Sequence, residues 1–154
     1  MDEKGQWRRA RDGFRWEGVD LLAYKEDASA GFKAITRQVL MADPRLGCEL
    51  RYFEMQPGGY SSLERHEHVH GVMILRGRGH ALVGGEVRRV GPRDTVTIPP
   101  MTWHQFRATQ GEPFGFLCMV EAERDKPRLP SADDLRSLRS DPAVAAFLDG
   151  APLV

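Results

Sequence analysis

Residues 63–77 carry the most information in this chain and read LERHEHVHGVMILRG. Four potential metal ligands stand there at every second position, namely Glu64, His66, His68 and His70. Alternate side chains of an extended strand project from one face, so this spacing predicts that all four line the same surface. Imidazoles and a carboxylate that are buried together need partners, and a bound divalent cation supplies those partners at once. The stretch therefore predicts a metal site.

The residues that follow indicate that this surface faces a core. Residues 71–75 are almost wholly apolar, which is typical of a strand buried on both faces. The alternative is a solvated strand edge whose polar side chains point to water. The apolar continuation favours the buried arrangement.

Short apolar or alternating runs continue on both sides of this stretch, with turn residues between them. Pairs such as Asp43-Pro44, Gly84-Gly85 and Pro99-Pro100 mark the turns. Many short strands at such spacing predict an all-β fold, either an antiparallel sandwich or a barrel. The predicted strands cover residues 32–40, 49–55, 70–75, 80–83, 95–98 and 114–120.

Helical signals appear only toward the C-terminal end. Ser131 is a favourable N-cap for a helix over residues 132–139, and Asp141 followed by Pro142 can open a second short helix. The side chains predicted to pack these helices on the barrel are Leu135, Leu138, Val144, Phe147 and Leu148.

A further histidine that could join the site lies in residues 91–106, which read GPRDTVTIPPMTWHQF. A predicted strand ends there in a Pro-Pro turn, and the chain re-enters through Trp103 and His104. The remaining histidine, His80, has no acidic or imidazole neighbour at a spacing of two residues. We therefore expect His80 to be a surface strand residue.

With these two stretches in view, the chain resembles the cupin superfamily. The first cupin motif, G(X)5HXH(X)3-4E(X)6G, fits with Gly58 as its first glycine and Gly77 as its last. The three ligand positions then fall on Glu64, His66 and His70, so that a glutamate and a histidine have exchanged places. The usual set of three histidines and one glutamate is kept when His104 is added.

The second cupin motif, G(X)5PXG(X)2H(X)3N, is matched at Pro99 and His104. Arg93 and Met101 stand where glycine is usual, and Ala108 stands where asparagine is usual. The resemblance implies that His104 is the fourth metal ligand.

A rival register makes His66 and His68 the HXH pair of the first motif. It places Val72 or Met73 at the carboxylate position, where neither is an effective ligand for a divalent cation. The first register is therefore preferred, and His68 either hydrogen-bonds a ligand from outside the coordination sphere or substitutes for Glu64.

The resemblance implies a double-stranded β-helix, or jelly-roll, barrel with short C-terminal helices and a cavity beside the metal. Arg51, Gln105 and Trp103 are further candidates for the mouth of that cavity. The predicted pocket residues are Tyr60, Ser62, Val72, Phe106 and Cys118.

Three imidazoles and one carboxylate suit one divalent transition metal (Fe, Mn, Ni, Co, Cu or Zn), whereas Mg and Ca prefer oxygen ligands. Open coordination positions would permit oxygen activation or Lewis-acid catalysis. We therefore expect a metal-dependent small-molecule enzyme, either dioxygenase-like or an isomerase or lyase. The alternative is a non-catalytic barrel that binds or senses a small ligand, and the sequence alone leaves enzymatic activity open.

The length of 154 residues predicts a single domain. Its barrel core is expected at about 32–120, with an N-terminal extension over residues 1–31 and a helical tail over residues 131–150. Lys plus Arg and Asp plus Glu both total 22, so there is no net charge to attract nucleic acid or an anionic membrane. A small-molecule ligand or substrate is the expected partner.

Two further expectations concern the surroundings of the chain. No run approaches the roughly 20 apolar residues of a membrane span and no secretory signal precedes the strands, so a cytoplasmic location with Cys48 and Cys118 as thiols is expected. Met73 and Leu75 point away from the ligand side of their strand, which predicts a homodimer.

Overall fold

The computed structural model describes residues 3–24 and 33–151, apart from the side chain of Lys33. The predicted start of a strand at Phe32 therefore lies outside the described residues. Short strands dominate the described part, and two short helices follow them. The elements are β1 (Ala10–Arg11), β2 (Arg15–Trp16), β3 (Leu22–Ala23), β4 (Lys33–Ala42), β5 (Cys48–Tyr60), β6 (His70–Arg76), β7 (Gly79–Val83), β8 (Glu86–Val90), β9 (Thr95–Ile98), β10 (His104–Ala108), β11 (Phe114–Glu121), α1 (Ala132–Leu138) and α2 (Pro142–Leu148).

One antiparallel sheet builds the barrel, in the order β8-β7-β10-β5-β11-β6-β9. The long strand β5 also pairs with β4, and its last residue, Tyr60, pairs with Arg107 of β10. The predicted turn at Gly84-Gly85 is confirmed, and it joins β7 to β8 in a hairpin with Val83 opposite Glu86. The fold is the predicted all-β double-stranded β-helix, or jelly-roll, barrel with short C-terminal helices.

Aromatic side chains on the inner face of the sheet form the main core. Phe116 is the centre of this group, with ring centroids 4.7 Å from Phe106 and 5.7 Å from both Phe53 and Phe114. These strands alternate inward apolar residues with outward residues, because successive side chains of a strand point to opposite faces. The same inner face carries the candidate site.

The N-terminal residues cover the opposite face of the sheet. The rings of Phe14 and Trp16 lie 5.9 Å and 5.1 Å from the ring of Tyr52 on β5. Gln38 of β4 donates a hydrogen bond from Nε2 to the carbonyl oxygen of Phe14 at 2.9 Å. The β1–β2 hairpin therefore shields the side of the barrel that faces away from the candidate site.

The two helices pack on the barrel as predicted. Ser131 caps α1 through reciprocal hydrogen bonds with Asp134, and Asp141 caps α2, which begins at Pro142. None of the described helices is long and apolar enough to cross a membrane. The apolar side chains that join the helices to the barrel in a second core cluster include Leu63, Leu82, Leu135, Leu138, Val144, Phe147 and Leu148.

Candidate metal centre

The histidine-rich stretch is a loop for most of its length, and β6 begins only at His70. The spacing argument assumed an extended strand from Glu64 to His70, and that assumption was wrong, whereas the predicted start of a strand at residue 70 is confirmed. Glu64 and His104 exchange backbone hydrogen bonds in an isolated bridge, and the N–H of Met101 donates to the carbonyl oxygen of His66. These bonds hold the loop against the start of β10 and turn its side chains inward without a regular strand.

Three of the predicted ligands converge. His66, His70 and His104 each offer a ligand atom, and these atoms lie within 4.8 Å of one another. The ring centroid of His66 is 4.3 Å from that of His70 and 4.8 Å from that of His104. Three imidazoles at such distances are suited to hold a single cation.

Hydrogen bonds select the ring form that a metal requires. Nδ1 of His66 lies 2.8 Å from the carbonyl oxygen of His68, and Nδ1 of His104 lies 2.9 Å from the carbonyl oxygen of Thr102. A carbonyl oxygen only accepts, so each Nδ1 must donate and each Nε2 keeps its lone pair in the neutral ring. Nε2 of His66 is buried without a hydrogen-bond partner among the described residues. An ion at the centre of the cluster would supply that partner.

Burial keeps these imidazoles neutral. It lowers the pKa of His70 to about 2 and the pKa of His104 to about 4, and it also lowers the pKa of His66. The neighbouring histidines lower the first two values further, since clustered cations would repel one another. The neutral imidazole is the form that binds metal, so the site is ready for a cation at neutral pH.

His68 lies beside this cluster and is held by Asp125. Its ring stacks on His66 with centroids 3.7 Å apart, and its Nε2 is 3.2 Å from Nε2 of His70. Nδ1 of His68 lies 2.7 Å from a carboxylate oxygen of Asp125. No sequence pattern pointed to Asp125, which stands in a charged connector far from the histidines along the chain.

Glu64 faces the same cavity but is not one of the three clustered groups. The residue is 5% exposed, and its charge acts on Tyr24, whose pKa is raised above its usual range mainly by burial. Glu64 remains a predicted ligand on the family motif.

The cavity beside the histidines has a volume of about 290 Å³. Three of the predicted pocket residues, Ser62, Phe106 and Cys118, line it, and so does Arg51. Tyr60 lies instead in a groove near α2, where the guanidinium of Arg107 stacks on its ring. Three other residues predicted for the pocket or its mouth do not line the cavity beside the histidines, namely Val72, Gln105 and Trp103.

The fifth histidine was wrongly predicted to lie on the surface. His80 is 6% exposed, because β7 lies between β8 and β10 and is buried along most of its length. It lies outside the cluster of His66, His70 and His104.

The turns around the site keep their left-handed backbone without glycine. Arg93 and Met101 have φ of 76° and 54°, at the two positions where the second cupin motif has glycine. Gly77, the last glycine of the first motif, also has positive φ, and a Cβ there would collide with the carbonyl oxygen of Pro113. The left-handed backbone at these motif positions is therefore retained although two of the glycines are replaced.

The fold is a jelly-roll barrel, and three histidines converge in its cavity. Both features are typical of the cupin barrel proteins that the sequence resembles. The model of the Cupin domain family matches residues 51–120. Two cupin relatives described next are 63% and 55% identical over nearly the whole chain, and together with this match they show that the chain belongs to the cupin family.

Three relatives are similar over nearly the whole chain. One is the 1-methylthio-D-xylulose 5-phosphate methylsulfurylase of Rhodospirillum rubrum, 63% identical over 144 residues, with 94% of this chain and 92% of that protein covered. The crystal structure of a cupin-2 domain protein from the same organism is 63% identical, with a TM-score of 0.86, covering 94% of this chain and 97% of that one. A cupin 2 conserved barrel protein from Rhodopseudomonas palustris is 55% identical, with a TM-score of 0.88 and coverage of 92% and 98%.

Proposed function

We propose that this chain is a metal-dependent enzyme that acts on a methylthio-substituted pentulose phosphate and removes the methylthio group. The observation that carries this proposal is the convergence of three neutral histidines on a cavity that also holds a thiol and several apolar side chains. The substrate class is taken from the R. rubrum relative, whose name specifies 1-methylthio-D-xylulose 5-phosphate. High identity over both chains supports extending that class to this protein.

The proposed metal ligands are His66, His70, His104 and Glu64, with His68 as an alternative to the glutamate. One divalent transition metal (Fe, Mn, Ni, Co, Cu or Zn) would supply Lewis-acid polarisation of a substrate carbonyl. The hydrogen bonds to Nδ1 of His66 and His104 fix the orientation of these rings before any ligand binds.

The rest of the cavity suits the methylthio group. Apolar side chains contribute much of the lining, and a thioether sulfur makes favourable contacts with aromatic rings. Cys118 also lines this space. Its thiol would attack the sulfur of the substrate, so that a methyl disulfide forms on Cys118, the carbon–sulfur bond breaks and the proton of the thiol passes to the released carbon. The external thiol reductant would then reduce the disulfide and restore the thiol. The apolar lining residues are Ile35, Phe53, Met55, Phe106 and Phe116.

The proposal is tested by incubating metal-loaded protein with 1-methylthio-D-xylulose 5-phosphate in the presence of a thiol reductant. We expect nuclear magnetic resonance spectra to show that the methylthio signal of the substrate disappears and that a methyl signal of the 1-deoxy sugar phosphate appears. Chelated protein and the His104→Ala variant are the matched controls, and both should be inactive. An unchanged substrate signal with fully metal-loaded protein would contradict the proposal.

The same assay separates the other functions predicted from the sequence. A dioxygenase-like enzyme would consume dioxygen in step with substrate, and an isomerase or lyase would give products that retain the methylthio group or eliminate it without the reductant. A binding or sensing barrel would show saturable binding without turnover. The named relative, a methylsulfurylase, favours removal of the methylthio group over oxygenation, isomerisation and binding without turnover.

We also propose that the protein is a homodimer in the cytoplasm, with no nucleic-acid partner. Met73 on β6 and Met119 on β11 are 42% and 53% exposed. Exposed apolar side chains on neighbouring strands are typical of a surface that associates. Light scattering coupled to gel filtration should give twice the chain mass, and Met73→Glu should lower it.

A further inference from the structure

Arg51 is a buried cation inside the candidate site. It lies on β5 opposite Cys118 of β11 and Val39 of β4, and its side chain lines the cavity. Only 7% of Arg51 is exposed. Its charge also contributes to the lowered pKa of His70, which places it close to the metal ligands.

The described residues provide Arg51 with no counter-ion. Nη2 of Arg51 lies 3.8 Å from Sγ of Cys118, and the guanidinium carbon lies 5.0 Å from the ring centroid of Phe53. Nε is buried without a hydrogen-bond partner. Within the described part of the chain, no ion pair links Arg51 to a carboxylate.

Neighbouring groups do not supply the missing charge. Burial raises the pKa of Cys118, so its thiol stays neutral. Asp125 is engaged by His68 and by the backbone N–H of Glu67. The charge of Glu64 would be neutralised by the cation that it is proposed to bind.

A buried guanidinium without a counter-ion is costly, and an anionic ligand removes that cost when it enters the cavity. The planar fork of arginine matches two oxygens of a phosphate group, and charge-assisted hydrogen bonds of this kind are strong. We infer that Arg51 binds the phosphate group of the substrate inside the cavity. The inference rests on the proposed function, which supplies a phosphorylated substrate.

The experiment compares D-xylulose 5-phosphate with D-xylulose, two probes that differ only in the phosphate. Binding is measured by calorimetry on metal-loaded protein, in which the cation neutralises Glu64, and the Arg51 variants separate binding of the phosphate by Arg51 from binding by the metal. We expect the phosphorylated probe to bind about 10- to 100-fold more tightly to the wild type. Arg51→Met should abolish this preference, and Arg51→Lys should keep part of it because it keeps the charge.

Arg88→Met is the control variant, since Arg88 is an exposed arginine of β8 and should leave the preference unchanged. Thermal unfolding checks that each variant is folded. If Arg51→Met does not fold, Arg51→Lys carries the test, and an affinity ratio equal to that of the wild type overturns the inference. Equal binding of both probes to the wild type also overturns it, as does a preference that survives in Arg51→Met.

These outcomes are distinct from those of the turnover assay. A protein that prefers the phosphorylated probe through Arg51 but does not consume the methylthio substrate supports the phosphate subsite and contradicts the proposed function. A protein that consumes the substrate without any preference for the phosphorylated probe contradicts the subsite alone.

Discussion

Oδ1 of Asp125 lies 2.7 Å from Nδ1 of His68, and the same carboxylate accepts the backbone N–H of Glu67 at 2.8 Å. This carboxylate therefore joins the connector after β11 to the histidine loop. The hydrogen bond from the backbone N–H of Glu67 is the main reason that the pKa of Asp125 lies well below its usual range, and the hydrogen bonds from His68 lower it further. Because Nδ1 of His68 donates to this carboxylate, Nε2 of the neutral ring carries no proton, and it faces His70.

Asp125→Asn is expected to weaken metal binding by about 10-fold if His68 is a ligand or supports one, since partners of ligating histidines commonly have such effects. The amide is similar in shape but carries no charge and accepts through one oxygen only. Metal affinity is measured by competition with a chelating dye. Glu67→Gln is the matched control, because Glu67 pairs with Arg128 on the surface. Equal affinities in both variants would refute a role for Asp125.

His104→Ala is expected to release the metal and to remove the stabilisation that metal binding gives to the folded state. Plasma emission on protein purified without an affinity tag measures the metal content. His80→Asn removes a histidine outside the cluster and should retain the metal. Full metal content in His104→Ala would overturn the assignment of this ligand.

The metal-free protein is expected to lose stability as the pH falls from about 6.5 toward 4. Unfolded histidine has a pKa near 6.5, whereas burial lowers the pKa of folded His104 to about 4 and of folded His70 to about 2. Between these values the unfolded state binds protons that the folded state does not, so acid favours unfolding. Denaturant unfolding of chelated protein at pH 7.5 and 5 measures this effect.

The His104→Asn variant should show a smaller loss of stability over the same pH range, because one of the buried groups that titrates on unfolding is gone. A stability that rises on acidification between pH 6.5 and 5 would contradict the buried, neutral state of these rings.

Cys118→Ala is expected to abolish turnover of the methylthio substrate while leaving the metal content unchanged. Cys118 lines the cavity and is 2% exposed, whereas Cys48 is partly exposed and is not part of the cavity lining. Cys48→Ala is therefore the matched control and should remain active. Normal turnover by Cys118→Ala would remove the thiol from the proposed chemistry.

The sequence predicted the fold well because turn residues and alternating strands repeat along the chain. The capped helices after Ser131 and Asp141 were also predictable, since their first-turn hydrogen bonds are local. β10 was not predicted as a strand, because its sequence, HQFRA, contains three polar residues and lacks the apolar character of a buried strand. Its burial follows from pairing with β7, which is a long-range contact.

The site was predicted in part. Motif spacing identified His66, His70 and His104, but the reason given was a strand where the structure has a loop. Asp125 and the missing counter-ion of Arg51 could not be predicted, because both depend on which segments meet in space. No local sequence pattern shows which distant segments come into contact.

Arg93→Gly is expected to raise the free energy of unfolding by up to about 1 kcal/mol, because a left-handed conformation strains a residue that has a Cβ. Arg93 is exposed and has φ of 76°, so little packing is lost. Arg89→Gly, in β8, is the control and should lower stability instead. Chemical denaturation measures the free energy of unfolding of both variants. A lower value for Arg93→Gly than for the wild type would contradict backbone strain at Arg93.

The left-handed turns at Arg93 and Met101 bear on how distant members of this family are found. A search that demands glycine letters at these places would overlook the chain, whereas a comparison of dihedral angles would retrieve it. In this chain the path of the main chain at these two turns is kept although the glycines are not.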